Sequence, residues 1–118
     1  MKLTIKSRQD DVILVQITGE LSQKRLLAHA DPLREQLGDD CYRHKVLLDM
    51  RGVAAIDSSG VGWLLSSQKQ FRAQGGKLVL HSLSPFARDV MKILNMQLVF
   101  RIAEDEKSAR RLVEEESP

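Results

Sequence analysis

The sequence predicts an α/β fold. It reads as one domain over residues 1–118, with a mixed β-sheet of four to five strands and about four helices packed mainly on one face. Three observations carry that reading. Two β-prone segments open the chain. Helix-periodic and strand-like stretches then alternate, the pattern of a partly parallel sheet with helices laid against it. Hydrophobic residues make up 42% of the chain but aromatic residues only 4%, so the core must be built from Leu, Val and Ile. A chain of this length buries roughly 65% of the surface its unfolded form exposes, enough for one real core.

Leu3–Ile5 is a short β-prone start, and Gln9-Asp10-Asp11 suits a turn. Val12–Thr18 is rich in β-branched residues and reads as a strand, with Gln16 interrupting one face and Gly19-Glu20 ending it. Leu26, Ala30, Leu33 and Leu37 recur at helical spacing. Pro32 conflicts with a continuous helix, because it lacks an N–H and clashes with the preceding turn. Asp31 as N-cap with Pro32 at the first helical position resolves the conflict. The prediction is a helix over 31–37, stopped by Gly38, after an irregular segment. Lys45–Met50 reads as a buried strand with a polar stop at Arg51-Gly52. A helix follows from Asp57-Ser58-Ser59-Gly60 to Ala73, ended by Gly75-Gly76. Lys77–His81 is the next strand. Ser84-Pro85 starts a helix whose apolar stripe is Phe86, Val90, Ile93 and Leu94, with Asn95 closing it. Leu98–Ile102 reads as the last strand and Asp105–Val113 as the last helix, with Ala109, Leu112 and Val113 facing in. Residues 113–118 suit a solvated, flexible tail.

Bulk properties exclude several function classes. The net charge of +2 is small and the basic residues are interleaved with acids, so no nucleic-acid footprint is expected. The N-terminus has no apolar leader, and no run approaches the roughly 18–20 apolar residues of a membrane span. Cys41 is the only cysteine, which fits a reducing compartment. A cytoplasmic protein without membrane insertion is expected.

The segment Ile56–Trp63 is the informative one. A buried strand feeds a short loop that feeds a helix. Asp57 or Ser58 can cap that helix, and Ser58 lies where the helix dipole favours negative charge. At 100° per residue, Val61, Leu64, Leu65, Gln68 and Phe71 form an inner stripe, and Ser59, Gly62, Trp63, Ser66 and Gln70 fall on the other side. Gly60 and Gly62 each weaken a helix by up to ~1 kcal/mol relative to Ala, so something else favours them, such as close approach of another protein. Trp63 has the chemistry of an interface anchor. The same residues also suit a purely structural cap, with Trp63 tucked under a loop.

Enzymatic readings find little support. Neither Ser58 nor Ser59 has the preceding glycine of a Gly-x-Ser-x-Gly elbow. No spacing singles out His29, His44 or His81 as a base. Cys41 and His44 alone make weak metal ligands, and no Walker-type loop is present. No catalytic residue, metal or cofactor is expected.

Val46–Met50, Asp57-Ser58-Ser59-Gly60, the helix to Ala73, Gly75-Gly76 and Leu78–His81 together resemble the central block of the STAS family, which joins sulfate transporters with anti-sigma-factor antagonists. Thr18-Gly19-Glu20-Leu21, Ser84–Met96 and Glu104–Val113 resemble its flanking elements, so the likeness covers nearly the whole chain. The chain departs from the family at Ser22, where many members carry Asp. The resemblance implies phosphorylation of Ser58, with Asp57 as the acidic residue beside it. It also implies partner binding through Asp57, Ser58, Ser59, Gly60, Gly62, Trp63 and Ser66. The implied partners are an anti-sigma factor serine kinase with a histidine-kinase-like ATP site, and a serine phosphatase. The unphosphorylated form would bind the kinase and free the sigma factor. Ser58→Asp should then keep the fold and weaken binding, and Trp63→Ala should weaken binding with little loss of stability. The alternative the family offers is a non-switching adaptor subunit of a stress-sensing or lipid-transport ATPase assembly, in which Ser58 only caps the helix.

Overall fold

The computed structural model describes residues 1–22 and 31–115. Five strands form one sheet in the order in which they occur: β1 (Lys2–Gln9), β2 (Val12–Leu21), β3 (Lys45–Ile56), β4 (Lys77–His81) and β5 (Arg101–Ala103). β1 runs antiparallel to β2, joined by a turn in which Asp10 and Asp11 take φ of 52° and 64°. The remaining neighbours are parallel. Among the described residues four helices follow: α1 (Pro32–Leu37), α2 (Ser58–Gln74), α3 (Pro85–Ile93) and α4 (Glu106–Glu115). The α/β class with a mixed sheet is as the alternation predicted.

Side chains two apart on a strand share a face. Ile13, Val15, Ile17, Val46, Leu48, Met50, Leu78 and Leu80 therefore build one core with Leu33 and Leu37 of α1, Val61, Leu64 and Phe71 of α2, and Ala87 and Met91 of α3. The intervening residues Val12, Leu14, Leu47 and Val79 meet Ala109 and Val113 of α4 on the opposite face. Among the described residues, three helices thus cover one face and one covers the other. Pro32 begins α1, and Asp31 accepts a hydrogen bond from the Arg34 amide, so the cap expected there is formed. Leu26, His29 and the irregular segment expected before Asp31 lie outside the described residues.

Several boundaries differ from the sequence reading. Gly19-Glu20 does not end β2, and Arg51-Gly52 does not end β3. Thr18 pairs with Gly52, Gly19 with Val53 and Leu21 with Ile56, so each strand extends the other across two register shifts. Gly52 is required by this pairing, because a Cβ there would lie 2.5 Å from Thr18 Cγ2. The strand expected over Leu98–Ile102 is instead a 3-10 turn, Met96–Leu98, followed by the three-residue β5. Asn95 precedes that turn in the left-handed conformation expected of it. α4 continues to Glu115 with Val113 buried, so no tail begins at residue 113, and residues 116–118 lie outside the described ones. In α3, Ala87 and Met91 are buried. Phe86, Ile93 and Leu94 of the expected stripe are 51%, 77% and 46% exposed. Apolar spacing located the helix but not its rotation about its own axis.

Candidate functional site

The end of β3 delivers the chain to the start of α2 through one residue. Asp57 is extended (φ −108°, ψ −175°), its N–H donates to the Leu21 carbonyl at 3.1 Å, and its carbonyl accepts from Val61 at 3.0 Å. Its Oδ1 accepts the Gly60 N–H at 2.9 Å. Asp57 is therefore the N-cap, and Ser58 is the first helical residue. The amides of residues 58 and 59 belong to the first turn, whose N–H groups have no intrahelical partner. Ser58 thus holds an exposed hydroxyl at the positive end of a 17-residue helix.

The sequence-nominated residues divide by burial. Asp57, Ser58, Gly62 and Ser66 are exposed, and Ser59 is half-buried. Nothing lies within 4 Å of a Cβ placed on Gly62, so its face is open. Gly60 is buried and offers no surface. A Cβ there would sit 2.3 Å from the Leu21 carbonyl oxygen and 2.9 Å from Ile56 Cγ1. The close approach inferred for this glycine is made by the chain's own β2, not by another protein.

Trp63 is also less free than its outward assignment implied. It is half-buried, packs on the core, and borders a depression lined by Asp31, Tyr42, Ser66, Ser67 and Gln70. That side is fixed by Tyr42, whose hydroxyl donates to Asp31 Oδ1 at 2.7 Å and whose ring meets Phe71 edge-on at 5.0 Å. Burial, and then the Asp31 carboxylate, push the Tyr42 hydroxyl pKa well up, so it stays a donor. On the opposite flank the Gln68 amide donates to the Val99 carbonyl, so Gln68 bridges to the turn after α3 rather than filling the core. Leu65 is only half-buried, whereas Ser67 is fully enclosed. Lys69 is exposed and falls within about 20° of Ser58 around the helix axis, three turns on.

The other polar candidates form separate structures. His44 joins Asp11 through Nδ1 and Asp40 through Nε2, and both raise its pKa, the Asp11 hydrogen bond most. His81 is buried 2.9 Å from Ser82 Oγ, and that burial lowers its pKa. Among the described residues neither histidine hydrogen-bonds to Ser58 or Ser59. The buried Cys41 thiol is pushed up to about 11 by desolvation, which disfavours the reactive thiolate. Among the described residues no group of three or more His, Cys, Asp or Glu could hold a metal ion. No described helix is long and apolar enough to cross a membrane.

Comparison with known proteins agrees with the fold. BtrV of Bordetella bronchiseptica, assigned as an anti-sigma factor antagonist, is 30% identical over 111 residues, covering 92% of this chain and 91% of that protein. A Thermotoga maritima protein assigned to the same role superposes with a TM-score of 0.80 at 20% identity, covering 92% of each chain. The phosphorylated form of the Bacillus cell-fate determinant SpoIIAA shares the fold at a TM-score of 0.59 and 19% identity, over 94% of this chain and 99% of that one. The STAS domain model matches residues 4–109, which is nearly the whole described structure. With the five-stranded mixed sheet and the capped α2 start in place, the chain belongs to the STAS domain family.

Proposed function

We propose that this protein is an anti-sigma factor antagonist that works as a non-enzymatic, phosphorylation-controlled binding switch. In this reading the unphosphorylated form binds an anti-sigma factor serine kinase of the histidine-kinase-like type and frees the sigma factor. Phosphorylation of Ser58 releases the kinase, and a serine phosphatase resets the switch. The protein acts in the cytoplasm without cofactor, nucleic acid or membrane insertion. The partner face comprises Asp57, Ser58, Ser59, Gly62 and Ser66, with the exposed edge of Trp63. Gly60 shapes this face from below.

One observation carries the reading: Ser58 is exposed at the first position of α2 immediately after the Asp57 cap. A phosphate there adds about −1.5 to −2 charges at pH 7. The fold tolerates it, because first-turn amides and the helix dipole favour an anion at this end. An interface matched to the uncharged hydroxyl does not, since like-charge or unpaired contacts cost several kcal/mol. Each ~1.4 kcal/mol is tenfold in affinity, so binding falls with no change of fold. The name of the relative BtrV supports the antagonist role.

The test is Ser58→Asp, followed by thermal unfolding and by binding to the cognate kinase. The expected result is an unchanged unfolding transition with at least tenfold weaker binding. Unfolding of the variant, or unchanged affinity, would contradict a local electrostatic switch. Undiminished binding would favour the adaptor reading.

A further inference from the structure

Away from α2, a cavity of about 400 Å³ opens between α3 and β5. Its size falls in the range of small-molecule sites, about 300–1,000 Å³. It lies beyond the carboxyl ends of β4 and β5, the end at which open α/β sheets take their ligands. Leu83 and Met91 are buried and Ile102 half-buried along its apolar floor, and Ala103, whose side chain packs on the α4 side of the sheet, borders it at the strand end. Its mouth carries Arg88 and Lys92 on α3, with Gln97 and Glu104.

Arg88 and Lys92 are four residues apart, so two like charges stand on one helix flank and repel each other. Among the described residues neither forms an ion pair, and neither does Glu104. Two cations face one carboxylate, which leaves one positive charge in excess at the mouth of an apolar chamber. An anion held between the two cations would relieve their repulsion. The Gln97 amide can both donate and accept a hydrogen bond.

We propose that this cavity binds a small amphiphilic anion, an alkyl carboxylate, with its chain on the Leu83–Met91–Ile102 floor and its carboxylate between Arg88 and Lys92. Glu104 opposes that head group and limits the affinity. The site shares no lining residue with the Ser58 face and does not depend on the switch.

The experiment is an NMR titration of the full chain with octanoate, with octanol and octylammonium as matched probes. The proposal expects saturable shifts at Leu83, Met91, Ile102 and Ala103 with octanoate, and much weaker ones with the other two. Arg88→Gln with Lys92→Gln should weaken octanoate binding about tenfold or more, since a hydrogen bond to a charged group carries that much. Glu104→Gln should tighten it. All three positions are exposed, so the variants should keep the wild-type melting curve. Equal affinity for octanol, absence of saturation, or shifts confined to the exposed residues Phe86, Ile93 and Leu98 would overturn the proposal.

Discussion

Gly60 at the start of α2 rests directly on Leu21 at the end of β2: a Cβ on Gly60 would fall 2.3 Å from the Leu21 carbonyl oxygen and 2.8 Å from the Leu21 Cβ. The Leu21 carbonyl is also the acceptor for the Asp57 N–H, so it cannot move aside cheaply. The entry to the helix and the end of a neighbouring strand are thus one contact. Gly60→Ala gains up to about 1 kcal/mol of helix propensity, but overpacking costs about 1–3 kcal/mol and should win. Gly62→Ala meets open space and should raise stability by about 0.5–1 kcal/mol. Urea unfolding of the two variants should move in opposite directions. Against the kinase, Gly62→Ala should weaken binding if a partner approaches this helix closely.

The cap separates two adjacent polar residues. Asp57→Ala removes the acceptor of the Gly60 N–H and should cost about 0.5–2 kcal/mol. Ser58→Ala removes an exposed hydroxyl that caps nothing and should leave stability within about 0.5 kcal/mol. Denaturant midpoints distinguish them. A large loss for Ser58→Ala would make Ser58 a structural residue.

Trp63→Ala should lower both stability and affinity. A fully buried aromatic truncation costs about 3–5 kcal/mol, and the half-buried Trp63 should cost about 1–2 kcal/mol. The outward assignment from helical arithmetic implied little loss. The packing of Trp63 against the core revises that expectation. Parallel unfolding and binding measurements on the one variant check both halves.

His44 should make stability depend on pH. Its pKa is raised above the ordinary 6.5 by Asp11, and Asp40 is lowered from 3.8 by His44. A raised histidine contributes fully below its unfolded pKa and loses that contribution as pH rises through the folded value. The Asp40 share is lost as pH falls through its own lowered value. The stability gap between wild type and His44→Gln should therefore be widest just below the ordinary histidine value of 6.5 and should narrow as pH rises above it. His81, whose pKa moves the opposite way, is present in both proteins and cancels in the comparison. A gap that widens with rising pH would contradict the His44–Asp11 assignment.

The element order was legible because strand runs such as Lys45–Met50 and caps such as Asp31-Pro32 are local signals. What escaped was set by partners distant in sequence. β3 runs past Arg51-Gly52 because β2 lies alongside to pair with it. Gly60 is explained by Leu21, and Trp63 is half-buried against the core beside a depression it shares with Tyr42 and Asp31. The rotation of α3 was misread because its Phe86–Ile93 stripe is as apolar as the face that is buried. Ser58 itself was legible, since an Asp-Ser pair after a buried strand marks a helix start, but the choice of Asp57 over Ser58 as the cap needed the Gly60 hydrogen bond.

The central claim is most directly tested by intact-protein mass spectrometry of wild type and Ser58→Ala, each incubated with ATP and the cognate histidine-kinase-like serine kinase. The account predicts one added phosphate on wild type and none on Ser58→Ala. A stable complex with no phosphate on wild type, or equal phosphate on Ser58→Ala, would contradict it.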